Sequence, residues 1–320
     1  MLRPIANWFD QAAPPERLAM FRILLGLFTL SYLLARLPVF LTLADGRPGR
    51  FEPVGVLSAV SEPLPSGLVY ATIALALGSA LAFAAGWRFR LSGPVLAVAM
   101  LVLGTYRSSW GQLLHFENLL VLHLLIVGFS PAADVWSANI WSVNAWSLDR
   151  QRLTAAGRGR KTASSRYGWP LKLAALTTTV TYVLAGVAKL RYGEVDWLLG
   201  DTLRNHVAYT ATRLDLLGGV SSPLARPFVA QGWLSAPAAV ATVIIELAAP
   251  VAFLNPSLRR VWVLSAWLMH LGILGLMFIV FPYPLFGLAF APLYELERLA
   301  PNSIRKTSSG ESHDVERFDE

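Results

Sequence analysis

The chain has 320 residues, of which 55% are hydrophobic and only 15% are charged. A soluble domain carries about 25% charged residues, so this composition excludes an ordinary soluble protein and indicates a polytopic membrane protein. The chain has no cysteine, which excludes disulfide scaffolds and thiolate metal sites. The formal charge of +7 then bears on how the spans are oriented, and we expect no nucleic-acid partner.

Apolar runs long enough for membrane helices recur along the chain. A helix needs roughly 20 mostly apolar residues to cross a bilayer. In chain order the candidate spans are Met20–Ala44, Leu68–Trp87, Leu91–Tyr106, Leu113–Phe129, Pro170–Lys189, Leu234–Leu254, Val261–Phe281 and a shorter eighth, Leu285–Tyr294. We therefore predict an all-α, polytopic integral membrane helical bundle of about eight spans over residues 1–295, followed by a polar, disordered cytoplasmic tail over 296–320.

Basic residues indicate the orientation of these spans. If the N-terminus is cytoplasmic, the inner segments receive most of the Lys and Arg residues, including Arg88, Arg90 and the basic run at 150–166. This distribution follows the positive-inside rule. We predict a multi-pass protein of the cell membrane with both termini in the cytoplasm (N-in and C-in).

The segments between the predicted spans differ in character. Asp45–Ser66 is predicted as an outer loop, and Ser130–Trp169 as an inner loop whose basic half rests on anionic lipid. Arg191–Trp233 is predicted as a long outer loop that contains several aromatic residues and His206. Because loops beyond about 15 residues are usually functional or disordered, this outer loop is a candidate part of a site.

Two ionisable residues lie deep in the sixth and seventh spans. Glu246 and His270 are both about 14 Å from the inner turn of the predicted hairpin, so they could pair. Such a pair would be either a structural bond between two helices or a group that handles a ligand or a proton. Pro250 cannot donate to the carbonyl of Glu246, which predicts a kink there. Arg22 is interpreted as an end anchor that could also pair with Glu246 or a lipid phosphate.

Lys189 ends the fifth span, and two interpretations of it stay open. A lysine at this position can be an interfacial anchor that reaches the head groups. The small face that contains Gly186 and the interfacial segment Trp197–Gly200 could instead enclose the amine, and a neutral amine can act as a base. His115 lies at the outer end of the fourth span at a similar level, either as a locally bonded histidine or as a partner of Lys189. No spacing in the chain matches a metal motif, so no metal site is expected.

Four stretches resemble the horizontally transferred transmembrane (HTTM) domain, the membrane part of vitamin K-dependent gamma-carboxylase. They are Arg17–Leu43, Ser109–Ser137, Thr181–Tyr209, which holds the specific block TYVLAGVAKLRYGEVDWLLG, and Ile244–Leu285. Their order and spacing cover most of residues 1–295.

The resemblance implies a quinol site at the outer face of the membrane. Lys189 would be the base that deprotonates reduced vitamin K or menaquinone, and His115 would assist it, for epoxidation of the quinol or for carboxylation. The residues that would bind the quinol are Gly186, Trp197, Gly200, Asn118, Glu246 and His270. The expected partners are membrane lipid, an isoprenoid quinol, and another membrane or extracytoplasmic protein. Two alternatives stay open: a non-catalytic quinone- or lipid-binding module, and a proton-coupled transporter that uses Glu246 and His270.

Overall fold

The computed structural model is built from helices joined by turns. The structure describes residues 7–46, 48–111, 117–138, 162–199 and 201–300. Its α-helices are α1 (Pro15–Ala44), α2 (Ser66–Ala85), α3 (Phe89–Ser108), α4 (Asn118–Gly128), α5 (Ser165–Leu199), α6 (Thr202–Leu216), α7 (Ala225–Ala230), α8 (Ser235–Leu247), α9 (Pro256–Met277) and α10 (Pro282–Leu285). The predicted all-α class is confirmed for the described residues.

Five helices are long and apolar enough to cross a membrane. They are α1, α2, α3, α5 and α9, and they correspond to predicted spans one, two, three, five and seven. The fourth and sixth predicted spans are represented by α4 and α8, which have 11 and 13 residues. The described residues therefore fit a multi-pass membrane protein and contain five helices long and apolar enough to span the bilayer, while the count of eight and the orientation of the termini stay predictions.

The eighth predicted span is not a continuous helix. After α10, the chain forms only short 3₁₀ turns over Leu288–Leu293 and Leu296–Leu299, because prolines and a left-handed Gly287 interrupt it. Side chains from α9 bind its carbonyls: the Trp267 indole donates to Leu285 at 2.9 Å, and the Arg259 guanidinium donates to Leu293 at 3.0 Å. Irregular backbone is tolerated at membrane depth where protein surrounds it, so this segment belongs to the packed bundle although it is not the continuous helix that the sequence predicts.

The segment 191–233, predicted as a long loop, is mostly helical, while its position on the outer side stays a prediction. α5 runs on to Leu199 with a single break at Glu194, whose φ of 47° lies in the left-handed region. The α6 and α7 helices follow and pack through a small apolar cluster that includes Val207 and Phe228 and that also contacts Leu276 and Met277 at the end of α9. This amphipathic packing is not visible in a hydropathy average.

The helices of the N-terminal half meet at glycines. A Cβ at Gly26 of α1 would lie 2.8 Å from Ala84 of α2, and one at Gly93 of α3 would lie 2.4 Å from the carbonyl oxygen of Gly128 of α4. Small residues allow membrane helices to approach this closely. The same half continues into one core with the start of α5 and the C-terminal turns.

Arg22 is buried inside the bundle and is not an end anchor. Its guanidinium donates to the carbonyls of Ala132 and Trp136 at 3.0 and 2.6 Å, and it makes no contact with Glu246, whose cation partner is Lys189. Gly86, at a φ of 69°, leaves room for this guanidinium, since a Cβ there would lie 2.6 Å from Nη1. The hydrogen bonds of Arg22 therefore join α1 to the turn after α4.

The C-terminal turn returns to the beginning of α1. Arg17 donates to both carboxylate oxygens of Glu297, at 2.8 and 2.6 Å, and Leu296 is buried. Residues 296–300 are thus part of the packed structure, although the sequence places the border of the tail at 295. The rest of the predicted tail, 301–320, lies outside the described residues.

Candidate functional site

The site forms where α5 and α8 come close together. Gly186 of α5 faces α8, and a Cβ at this position would lie 2.9 Å from Cδ2 of Leu247 and 3.1 Å from Cβ of Glu246. Lys189 follows Gly186 by about one helical turn, so both residues point to the same side of α5. The absence of a side chain at Gly186 therefore brings the backbone of α8 within reach of Lys189.

Lys189 and Glu246 form an ion pair between these two helices. The distance from Nζ of Lys189 to Oε1 of Glu246 is 2.5 Å, and the exposed fractions of the two side chains are 22% and 6%. The second carboxylate oxygen of Glu246, Oε2, is buried and has no hydrogen-bond partner among the described residues. A lysine that reaches the lipid head groups as a simple anchor would not hold this contact.

Trp197 covers the pair from the end of α5. The break at Glu194 turns the chain, and Gly193 allows Trp197 to fold back, since a Cβ at Gly193 would lie 2.9 Å from Cβ of Trp197. The Lys189 amine lies 5.5 Å from the centre of the Trp197 ring, and His206 of α6 contacts the same indole with ring centres 5.7 Å apart. The indole nitrogen of Trp197 is buried without a partner in the described part of the chain.

His270 does not pair with Glu246, so that prediction is wrong. Nδ1 of His270 lies 2.8 Å from the carbonyl oxygen of Ala266 in its own helix, and the ring packs against Tyr182 and Phe281. Glu246 faces α5 instead of α9, because the missing side chain at Gly186 lets α8 pack closely against α5. The proton relay on which the transporter alternative depends therefore lacks its direct contact. The predicted kink is confirmed, because α8 ends at Leu247 and a 3₁₀ turn, Ala249–Phe253, follows it.

The remaining predicted site residues are not brought into this cluster. His115 and Gly200 lie outside the described residues. Asn118 is the first residue of α4 and its side chain is exposed. The structure thus unites Gly186, Lys189, Trp197 and Glu246, with His270 one layer away behind Tyr182.

A second buried carboxylate was missed by the sequence analysis. Glu117, immediately before α4, binds the hydroxyl of Tyr32 of α1 and the guanidinium of Arg107 of α3. Arg107 also donates to the Tyr32 hydroxyl at 2.9 Å, and the exposed fractions of Arg107 and Glu117 are 10% and 6%. The signal was present, because Glu117 is an ionisable residue inside the predicted fourth span, Leu113–Phe129, and Arg107 directly follows the predicted third span.

His123 of α4 is a further buried polar residue, and its hydrogen-bond partners come from two other parts of the chain. Its Nε2 lies 3.0 Å from the carbonyl oxygen of Ala174 in α5, and its Nδ1 lies 2.6 Å from the hydroxyl of Tyr283 in α10. A carbonyl only accepts, so Nε2 carries the proton and Nδ1 accepts from the tyrosine. This chain of bonds joins α4, α5 and the C-terminal segment.

Comparison with known proteins agrees with this architecture. The family model described as the HTTM domain matches residues 11–297. No curated protein and no solved structure matches the chain. The matched region begins just before α1, ends at the Glu297 that binds Arg17, and includes every helix of the bundle. This multi-pass membrane protein therefore belongs to the HTTM domain family.

Proposed function

We propose that this protein carries a quinol site at the Lys189–Glu246 pair, of the kind that the gamma-carboxylase resemblance implies, and that Lys189 acts there as a base. The observation that carries the proposal is the amine of Lys189, which is held against a buried carboxylate between two helices. Two unpartnered polar atoms, Oε2 of Glu246 and Nε1 of Trp197, belong to the same cluster.

The pair itself can move a proton between its two members. At 2.5 Å, Nζ of Lys189 and Oε1 of Glu246 share one hydrogen bond. If the proton moves to Oε1, the amine becomes neutral and the pair keeps a net charge of zero. A neutral amine in a poorly hydrated site accepts a proton from an acidic hydroxyl, which is the role of a general base.

The polar atoms and the surrounding surface fit a reduced isoprenoid quinone, such as reduced vitamin K or menaquinone. Oε2 of Glu246 can accept a hydrogen bond from a hydroxyl, and Nε1 of Trp197 can donate one to an oxygen. On the outside of α5, Leu184, Val187 and Leu190 are exposed apolar side chains along which an isoprenoid tail can lie. When bound, the quinol would supply the electrons for reaction with O₂, and with them a base strong enough for epoxidation-coupled carboxylation.

The test is quinol epoxidation by the purified protein. Protein in detergent is mixed with reduced vitamin K or reduced menaquinone, O₂ and labelled bicarbonate, and the epoxide and the fixed label are measured. We expect epoxide from the natural protein and none from Lys189→Ala, because removal of the amine removes the base. Bound quinone is measured in the same samples by extraction.

Lys172→Ala is the matched control. Lys172 lies on the same helix, and its amine is 4.7 Å from the ring centre of Trp8, so it also has an aromatic neighbour, but its hydrogen-bond partner is the neutral Gln11. We expect Lys172→Ala to keep full epoxide formation. Equal loss in both variants would show that the effect is structural and would contradict the role of Lys189.

A non-catalytic quinone- or lipid-binding module that partners another membrane protein is the second candidate. The same ion pair favours it, since an ammonium held by a carboxylate donates hydrogen bonds and is not a base. Quinone that is retained by the natural protein and lost in Lys189→Ala, without any epoxide, would select this function over the first.

A further inference from the structure

A large cleft lies at the other end of the bundle from the Lys189 site. It has a volume of about 720 Å³ and lies where α2 passes into α3 and where α4 ends. Its walls include Arg88 and Arg90 from the start of α3, Ser130 and Asp134 from the turn after α4, and Arg166 from the start of α5. In the predicted orientation this is the cytoplasmic face.

Among the described residues, basic side chains outnumber acidic ones in the lining of the cleft. Arg88, Arg90 and Arg166 line it with one carboxylate, Asp134, which accepts from the Tyr167 hydroxyl at 2.9 Å and lies 3.6 Å from the Arg166 guanidinium. Arg90 is also in the first turn of a 20-residue helix, where backbone N–H groups and the helix dipole favour an anion. Guanidinium groups bind phosphate oxygens in a two-point geometry.

Apolar side chains stand beside these arginines. Leu91 and Phe129 line the same cleft, and they are 63% and 64% exposed. Trp87 is exposed as well, with the Arg88 guanidinium 5.3 Å from its ring centre. A soluble anion would contact only the arginines. An amphipathic molecule with a phosphate and acyl chains can contact the arginines and the apolar side chains at once.

The turn after α4, which forms one wall of the cleft, is hydrogen-bonded to the buried guanidinium of Arg22. Arg22 binds the carbonyls of Ala132 and Trp136, and these residues belong to the same turn as Pro131, Ala133 and Asp134, which line the cleft. The contact of Gly93 with Gly128 places the starts of this turn and of α3 side by side. The shape of the cleft therefore belongs to the packed bundle and not to an adaptable surface loop.

We infer that this cleft binds the head group of an anionic phospholipid, with the phosphate between Arg90 and Arg166 and the acyl chains along Leu91 and Phe129. The site is separate from the quinol proposal, since it shares no residue with the Lys189 cluster. It gives the bundle a specific lipid contact at the face that the distribution of basic residues predicts to be cytoplasmic.

The test is native mass spectrometry of the purified full-length protein with an equimolar mixture of dioleoyl phosphatidylglycerol and dioleoyl phosphatidylcholine. We expect the natural protein to retain phosphatidylglycerol preferentially. Loss of one arginine near a membrane surface weakens anionic lipid binding by about fivefold, so Arg90→Ala and Arg166→Ala should each show about this loss. Unfolding in phosphatidylcholine alone checks that each variant is folded, and Arg90→Ala decides the question if Arg166→Ala does not fold.

Arg260→Ala is the matched control, because Arg260 is also exposed in the first turns of a spanning helix, α9, and does not line the cleft. It should keep the natural preference. Equal retention of the two lipids, or an equal loss in Arg260→Ala, would overturn the proposal. If inorganic phosphate added alone protects the protein from thermal unfolding as well as phosphatidylglycerol does, the ligand is a soluble anion and the lipid assignment is wrong.

Discussion

Glu117 and Glu246 are two buried carboxylates that meet a basic side chain from another helix, and the comparison between them separates a structural bond from a candidate reaction centre. Both are 6% exposed, and each has one carboxylate oxygen without a partner in the described chain. Their cations differ. Glu117 meets the guanidinium of Arg107, and Glu246 meets the amine of Lys189.

The chemistry of the cation decides what each pair can do. Arginine stays charged in proteins, and Arg107 is further held by the hydroxyl of Tyr32. Lysine can act as a base where arginine cannot, and Lys189 is the more accessible of the two cations, at 22% exposed against 10% for Arg107. The pair at Glu117 therefore joins α1, α3 and α4, whereas the pair at Glu246 is the one for which we propose proton transfer.

Removal of the carboxylate at the first pair is expected to have the largest effect on stability. Glu117→Leu leaves the Arg107 guanidinium buried without its counter-charge, and such a change costs about 3–5 kcal/mol. Thermal unfolding in detergent measures it. Glu52→Leu, at an exposed glutamate in the same region, should be nearly neutral. A combined Arg107→Met and Glu117→Leu variant should recover much of the loss, and a double variant as unstable as the single one would refute the pairwise explanation.

A side chain placed between α5 and α8 should have the second-largest effect on stability. Gly186→Leu forces a side chain against Leu247 and Glu246, and overpacking of this kind costs about 1–3 kcal/mol. It should also separate Lys189 from Glu246 and abolish quinol binding. Gly272→Leu is the control, because Gly272 of α9 has open space where its Cβ would be. Similar losses in the two variants would mean that close helix approach is not what Gly186 provides.

The charge of Glu246 should matter less for stability than that of Glu117. Glu246→Gln keeps a hydrogen-bond acceptor, and Lys189 is partly exposed, so we expect a loss of about 1–2 kcal/mol in thermal unfolding. Epoxide formation should fall much further than stability, because the amide cannot take the lysine proton. A variant with natural epoxide formation would show that Glu246 has no part in proton transfer.

The smallest structural effect and the sharpest functional one should come from Lys189→Arg. The guanidinium can still pair with Glu246, so the melting temperature should change by less than the equivalent of about 0.5 kcal/mol. Arginine does not give up its proton, so epoxide formation should be lost while bound quinone is kept. Full activity in this variant would remove the general-base role.

Hydropathy was sufficient for the long helices and insufficient for the irregular parts. Predicted spans one, two, three, five and seven correspond to helices of spanning length, because a long apolar run in a bilayer has few alternatives to a helix. The helices within 191–233 and the irregular backbone of the eighth predicted span were not predicted, since short helices and proline-rich turns are stabilised by contacts such as the Trp267 bond to Leu285. A sliding window of apolar residues contains no information about those contacts.

The candidate site was foreseen in part for a comparable reason. Lys189, Glu246, Gly186 and Trp197 were all selected as site residues, from residue type, position and the HTTM resemblance, and the family model matches residues 11–297 around them. The partner of Glu246 was assigned to His270 because spacing along a hairpin fixes depth and not the direction in which a side chain points. The rotation of α8 towards α5 depends on Gly186, and nothing local to Glu246 encodes it.

The sequence by itself determined that this is an all-helical membrane protein, because apolar runs in lipid must satisfy their own backbone hydrogen bonds, and four of its stretches indicated the HTTM family that the family model then matched. Only the tertiary structure decided which polar side chains meet. Lys189 and Glu246 are 57 residues apart in the chain, and Tyr32 and Glu117 are 85 apart. Contacts over such separations result from how helices pack and rotate against one another, and that packing depends on a few glycines and buried side chains rather than on the hydropathy of any one segment.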